Sequence, residues 1–306
     1  MTPGDAVRLV KDSGVKFWDD FGPRLGAALA YYIALALSPL LLGIIAIAGL
    51  VLGDEAARGG IVTQFRDTLG TQAATVIEDV VASSSSKKNG ILAAIIAGVI
   101  LLFGASGVFS ELQSALNTIW KVPGRKSKGG ILMMIKDRLW SFSLVAGSAF
   151  LLLVSLVMTA ILAGINNTIN DWLPGLDFLA QIINFVLNFA LTAALFAMIF
   201  KWLPETQLVW RDVWIGAMVT SGLFSIGRYL IGLYLGQAAI GSTYGAAGAF
   251  VVLLVWIYYS TQILLFGAEL TFVYAQRFGS GVRTVGGRLV EPRAATTPDE
   301  EPAAVS

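Results

Sequence analysis

Long uncharged stretches alternate with short polar ones along this chain. The charge-free runs are Leu25–Gly53, Asn89–Ser110, Leu139–Asn170, Phe178–Phe200, Val213–Gly227 and Tyr229–Ala268. A helix crossing a hydrocarbon core of about 30 Å needs about 20 apolar residues, so the last run is too long for one crossing. Gly236, Gly241, Ser242 and Gly245 supply turn chemistry in its first half. The pattern predicts a fifth span ending near Leu235 and a sixth starting near Ala246. Asp171–Asp177, with Pro174 and Gly175, divides spans three and four. The fold class is therefore all-α: a six-helix membrane bundle with spans at about 25–53, 90–110, 139–164, 178–200, 213–235 and 246–268. A five-span arrangement, with Val213–Gly227 re-entrant, is the alternative.

Three further stretches carry a helical period beside the spans. Val7, Val10, Phe17, Trp18 and Phe21 fall on one face, with Arg8, Lys11, Asp12 and Asp19 elsewhere, which predicts an interfacial helix before span one. Ile61, Phe65, Leu69, Ala73, Val76, Ile77 and Val80 make the outer loop helical, until Ser83–Ser86 breaks it. Leu112, Ala115, Leu116, Ile119 and Trp120 continue span two beyond Glu111, and Pro123-Gly124 stops it. The domains are then a cytoplasmic amphipathic segment at 1–24, a membrane domain at 25–276 and a disordered cytoplasmic tail at 277–306, rich in Arg, Thr, Pro, Ala and Glu.

Charge sets the orientation. Arg8, Lys11, Lys16 and Arg24 precede span one; Lys121, Arg125, Lys126, Lys128, Lys136 and Arg138 follow span two. Lys201 and Arg211 lie between spans four and five, and Arg277, Arg283, Arg288 and Arg293 in the tail. The opposite side has only Arg58, Arg66, Lys87 and Lys88, in a loop that also carries acids. The positive-inside rule puts both termini in the cytoplasm. Trp140, Trp202, Trp210 and Trp214 then sit at the inner interface and Trp172 at the outer one. The first apolar run is too long for a cleavable signal, and a bacterial cytoplasmic (inner) membrane is the expected location.

Composition agrees: of 306 residues, 56% are hydrophobic and 13% charged, about half the charge of a soluble domain. Cysteine and histidine are absent, which removes disulfides, thiolate nucleophiles, imidazole bases and the usual ligands of zinc, haem and iron–sulfur sites. No metal or cofactor is expected. A net charge of +1 gives no nucleic-acid surface. The expected partners are membrane lipids and a small anionic or lipid substrate, with room for a homo-oligomer.

Charge inside a membrane is costly, so the few such residues are the candidate site. At a rise of about 1.5 Å per residue, Arg228 comes out about 24 Å above the inner interface and Glu269 at the inner boundary. Glu111 comes out at a similar inner depth. Arg228 and Glu269 are then roughly 20 Å apart in height, too far for an ion pair. Arg228 is the candidate substrate or anion contact, since guanidinium suits phosphate and carboxylate, with snorkelling to headgroups as the plainer reading. Glu111 and Glu269 are candidate inner-mouth acids, solvated beside basic loops in the plain reading and proton-coupled in the sharper one. Pro39, which kinks span one, and Gly241 and Gly245 are candidate hinge or cavity positions. Gly49/Gly53, Gly232/Gly236 and Gly241/Gly245 permit close helix contact, and Gln113, Asn117, Asn184, Asn188, Tyr258, Tyr259 and Gln262 read as polar interior or interhelical glue. The repeated pentapeptide at 101–105 and 264–268 reads as coincidence, because an inverted repeat would match span two to span five.

Several motifs resemble the YihY/BrkB family, formerly labelled ribonuclease BN. They are Ala30-Tyr31-Tyr32 with Ser38-Pro39, the segment Leu112–Trp120, Trp214-Ile215-Gly216, Tyr244–Gly248 followed by Leu254–Tyr258, and Leu265–Leu270. Arg228 with Tyr234 sits where that family places a basic residue and a tyrosine. The resemblance covers about residues 15–280 and implies a polytopic bacterial inner-membrane protein, a member of a family with the inherited label of virulence factor. The nuclease label fits badly, because a hydrolytic nuclease needs a metal site or an acid–base pair on a soluble face. The reading is a non-enzymatic transporter or lipid/anion translocator. The alternative is a membrane scaffold or envelope interaction protein, with an intramembrane enzyme third.

Overall fold

The computed structural model describes residues 3–52, 58–60, 62–63, 77–78, 82, 107–122, 177–237 and 240–284. These form α1 (Pro3–Asp19), α2 (Gly22–Leu52), α3 (107–119), α4 (Asp177–Trp202), β1 (Thr206–Gln207), α5 (Trp210–Gln237), α6 (Ile240–Arg277) and β2 (Arg283–Thr284). The uncharged runs thus become helices at four of the expected spans. The transmembrane parts of expected spans two and three, Trp140, Trp172 and most of the outer-loop helix lie outside the described residues.

Three expectations change. α5 runs on to Gln237 and α6 starts at Ile240, so Gly241 and Gly245 lie in the first turns of α6. Glycine is no turn signal on its own where the backbone must bond to itself, as it must in lipid. α2 runs unbroken through Pro39, so the lost amide is absorbed within one helix. The tail is ordered as far as Thr284: Thr206 pairs with Thr284 and Gln207 with Arg283 in a short antiparallel ladder, and Val282 is buried.

α6 is the centre of the assembly, packing against α1, α2 and α5, while α4 packs on α5. Among the described residues, two helices are long and apolar enough to cross a membrane, Phe185–Trp202 within α4 and Phe250–Arg277 within α6. Lipid supplies little hydrophobic drive for helices to associate, so close packing must hold them. At the α5–α6 crossing this is done by two interlocked pairs. A Cβ on Gly216 would lie 1.9 Å from Thr271 Oγ1, and one on Gly267 would lie 2.1 Å from Thr220 Oγ1. Each threonine hydroxyl donates to the carbonyl four residues back on its own helix, Thr220 to Gly216 and Thr271 to Gly267, both at 2.7 Å. The hydroxyls are therefore satisfied without water, and each methyl-bearing carbon fills the space left by the opposing glycine. α2 meets α6 likewise: Thr261 Oγ1 donates to the Gly26 carbonyl at 3.0 Å, and the Gln262 side chain lies over Gly26.

The end of the bundle nearest α1 is closed by aromatics and aliphatics. Trp120, Phe200 and Phe272 are fully buried with Leu116, Ile119 and Leu265, and Trp120 meets Phe200 edge-on at 6.1 Å. Gln113 and Asn117 are glue, as expected: Gln113 Nε2 donates to the Leu203 carbonyl at 3.0 Å, and Asn117 Oδ1 accepts from the Glu205 amide at 3.0 Å. At the start of α5, buried Asp212 accepts from the Ser280 amide and hydroxyl at 2.9 and 2.8 Å, which clips the segment after α6 to the bundle.

The glycine–threonine crossing makes a prediction. Gly267→Ala gains about 1 kcal/mol of helix propensity. Overpacking against a β-branched side chain already in its bonded rotamer costs about 1–3 kcal/mol. We expect a lower unfolding temperature in detergent, partly restored when Thr220→Ala is added. A rise on the single substitution would contradict the close contact.

Candidate functional site

Glu269 lies one residue past Ala268 on α6, between Gly267 and Thr271, which face α5. The carboxylate is fully buried, at 0% exposure. Neither of its oxygens has a hydrogen-bond partner among the described residues. The expectation of a solvated interfacial acid is thus corrected: the residue stands on the side of α6 covered by α1 and the end of α3. Trp120 at the end of α3 donates its indole N–H to the Ala268 carbonyl at 2.9 Å, which seals that side.

The charged groups close enough to act on Glu269 are Asp20, Lys16, Lys121 and Asp19. Two turns of unusual backbone bring them there. Phe21, two residues past α1, has a φ of 58°, and Lys121, two residues past α3, has a φ of 53°. Lys121 closes α3 with a pair of reversed bonds, Val122 amide to Asn117 carbonyl at 2.9 Å and Lys121 amide to Thr118 carbonyl at 3.2 Å. Glycine is the usual residue at such a cap, and a side chain there costs about 1–2 kcal/mol. What the lysine gains is an ion pair: its Nζ contacts Asp20 Oδ1. Asp20 is only 8% exposed, and its second oxygen, Oδ2, has no partner among the described residues. Lys16, one turn earlier on α1, stands over the Phe272 ring at 5.2 Å.

α1 presents these charges inward. Leu9 and Ser13 are buried against the bundle, and Asp12 pairs with Arg277 at the end of α6. Val7 and Trp18, 68% and 70% exposed, lie on the opposite side with Val10 and Lys11. The helix is thus turned with Val7, Val10 and Trp18 outward beside the exposed Arg8, Lys11 and Asp19, and with Asp12 and Lys16 toward the protein. Phe17 is the exception to the expected apolar face, since its ring packs inward on Phe266 at 5.9 Å.

The other candidates stand apart from this cluster. Glu111 is half-buried on α3, nine residues before Trp120 and so about 13 Å of helix rise away from the level of Ala268. Arg228 is exposed on α5 between Gly227, which packs against Tyr259 and Ile263, and exposed Tyr229. It is about 18 Å of helix rise above Gly216, in keeping with the expected separation from Glu269. The surroundings of Pro39, Gly241 and Gly245 lie outside the described side chains. Among the described residues no group of three or more acids is placed to hold a metal ion.

Comparison with known proteins gives the family. The family model described as Virulence factor BrkB matches residues 14–287. This chain belongs to the BrkB family. Relatives named UPF0761 membrane protein include one from Albidiferax ferrireducens, 28% identical over 61% of this chain and 43% of its own length. One from Rhodospirillum centenum is 25% identical over 92% of this chain and 61% of its own length. One from Cronobacter sakazakii is 27% identical over 88% of this chain and 89% of its own. The chain thus spans about half the length of the first two relatives and most of the third. No solved structure matches it. It is a membrane protein, as its BrkB-family relatives are named, and α4 and α6 each hold a stretch long and apolar enough to cross a membrane.

Asp20 and Lys121 were not among the candidates from sequence, because they are ordinary loop charges until the fold brings them together. The signal was present in the Asp19-Asp20-Phe21-Gly22-Pro23 junction, where two acids precede a helix start.

The two ion pairs of α1 should differ in strength. Lys121→Ala leaves both oxygens of a buried Asp20 without a partner, and we expect a loss of about 2 kcal/mol of unfolding free energy. Arg277→Ala removes an exposed pair and should cost less than about 1 kcal/mol. Equal losses in denaturant titrations would contradict this placement.

Proposed function

We propose that this chain is a transporter or translocator of the bacterial cytoplasmic membrane, moving a lipid or a small organic anion, with both termini in the cytoplasm. The observation that carries the reading is Glu269, a fully buried carboxyl group without a donor, on a helix long enough to cross a membrane. Burying such a group costs energy, and purely structural packing is better served by an apolar side chain. Acids held inside membrane helices are the usual carriers of protons in pumps and transporters. Arg228 in the outer half of α5 offers a phosphate or carboxylate contact about 18 Å of rise from the inner end. Exposed Trp202, Trp210 and Trp214 at the α4–α5 junction suit the inner headgroup level. The six-span bundle with Glu111 at its inner half, and a homo-oligomeric assembly, belong to the same proposal.

Catalysis is no part of it, and neither is a ribonuclease activity. One observation favours a second reading, a non-transporting scaffold: the inner end is filled by Trp120, Phe200 and Phe272, all fully buried.

The deciding experiment uses purified protein in liposomes loaded with fluorescent anionic and zwitterionic lipids or with small organic anions. Wild type is expected to move one of these classes. Glu269→Gln and Arg228→Ala are each expected to slow it by about tenfold or more, a loss of roughly 1.4 kcal/mol or more in transition-state stabilisation. A folded wild type that moves no cargo would transfer the argument to the scaffold. Orientation has its own check in this cysteine-free chain. Cysteine at Ser84 should react with an impermeant thiol reagent from outside the cell, and cysteine at Ser127 only after permeabilisation.

A further inference from the structure

Three buried carboxylate oxygens at the inner end have no donor among the described residues: both of Glu269 and Oδ2 of Asp20. They belong to two elements that meet there, α6 and the end of α1. From α1 the charged groups around Glu269 are Lys16, Asp19 and Asp20, and from the end of α3 there is Lys121. α2 brings Gly26 to Thr261 of α6, α5 brings Gly216 and Thr220 to the glycine–threonine face of α6, and the α2 charge Arg24 lies over the Phe21 ring at 4.6 Å. Two lysines therefore serve three acids, and one of the lysines is already committed to Asp20.

We propose that Glu269 is a proton-binding site whose occupancy sets the docking of α1 on the inner end of the bundle. With the proton on, Glu269 is a neutral acid, Lys121 stays on Asp20, and Lys16 stays over Phe272. When the proton leaves to water, a new negative charge stands in an apolar surround and competes for the same two lysines. Lys121 drawn to Glu269 leaves buried Asp20 with neither oxygen partnered. Asp20 regains solvation only if the end of α1 lifts. A further ion pair of α1, Asp12 to Arg277, is exposed and weak. The proton thus couples a group inside a membrane helix to a helix lying on the membrane surface. The two αL residues, Phe21 and Lys121, border the contact that opens.

This deepens the transporter reading, in which α1 would gate the inner end, but the switch is measured without cargo. Ser13 is fully buried on the side of α1 that faces the bundle, and Gly4 is exposed on the same helix. A single cysteine at each position, in nanodiscs, is labelled with a maleimide from acid to alkaline pH. The same two thiols in the Glu269→Gln background control for their own ionisation, which burial shifts. The ratio of the two rates is expected to rise several-fold with pH in the wild-type background and to stay low throughout in Glu269→Gln. Asp20→Asn is expected to raise it at every pH, which keeps the test alive if Glu269→Gln does not fold. Infrared spectra of wild type should lose a protonated-carboxyl C=O band over the same pH range. A ratio that ignores pH, a Glu269→Gln protein that follows wild type, or an Asp20→Asn protein that keeps the full pH response would overturn the switch. Loss of transport with the switch intact would sink the transporter reading alone.

Discussion

Backbone hydrogen bonds cannot be left open in lipid, and apolar side chains there gain little from touching one another. Those two facts make the close approach of α5 and α6 the contact on which the other packing depends. Gly216 against Thr271 and Gly267 against Thr220 bring the two axes together, with each hydroxyl returned to its own helix. Once that register is set, Glu269, two residues from each of Gly267 and Thr271, must turn away from α5. The sides left to it are those that α1 and α3 cover. The buried acid and the glycine–threonine crossing are therefore two consequences of one helix face.

The same register accounts for how the C-terminal segment is held. α6 ends at Arg277, beside the first turn of α5, where Asp212 is buried. Gly279 approaches Asp212 so closely that a Cβ there would lie 2.4 Å from its Oδ2. Ser280 can then donate twice to that carboxylate, and the chain runs on to pair Arg283 and Thr284 with β1. A negative charge in the first turn of α5 also suits that end of the helix dipole.

Helix positions were legible because length and charge decide them. The runs beginning at Leu25, Phe178 and Val213 each became a helix that starts one to three residues earlier, and the period of Val7, Val10 and Trp18 marked the outward side of α1. What could not be read was azimuth. Whether Glu269 faced outward or the bundle depended on which side of α6 the threonines and glycines claimed. Gly267-Ala268-Glu269-Leu270-Thr271 and Gly216–Thr220 carry the same glycine-to-threonine spacing. That repeated spacing was a better contact signal than the GxxxG matches, and it points away from Glu269. Asp20 and Lys121 were illegible for a different reason, being about a hundred residues apart and joined only by two helix ends.

The sidedness of α1 ties these threads together. In water its Asp12, Lys16 and Asp20 would be the outer face, and Val7 and Trp18 the inner one. Here Asp12, Lys16 and Asp20 turn to the protein because it offers Arg277, the Phe272 ring and Lys121. These charge contacts hold α1 to the bundle beside the packing of Leu9 and Phe17. A contact built mainly from charge responds to the addition of one more charge nearby, whereas a contact built from apolar area does not. That difference is the physical reason why a proton on Glu269 can govern α1 and leave the α5–α6 crossing unmoved.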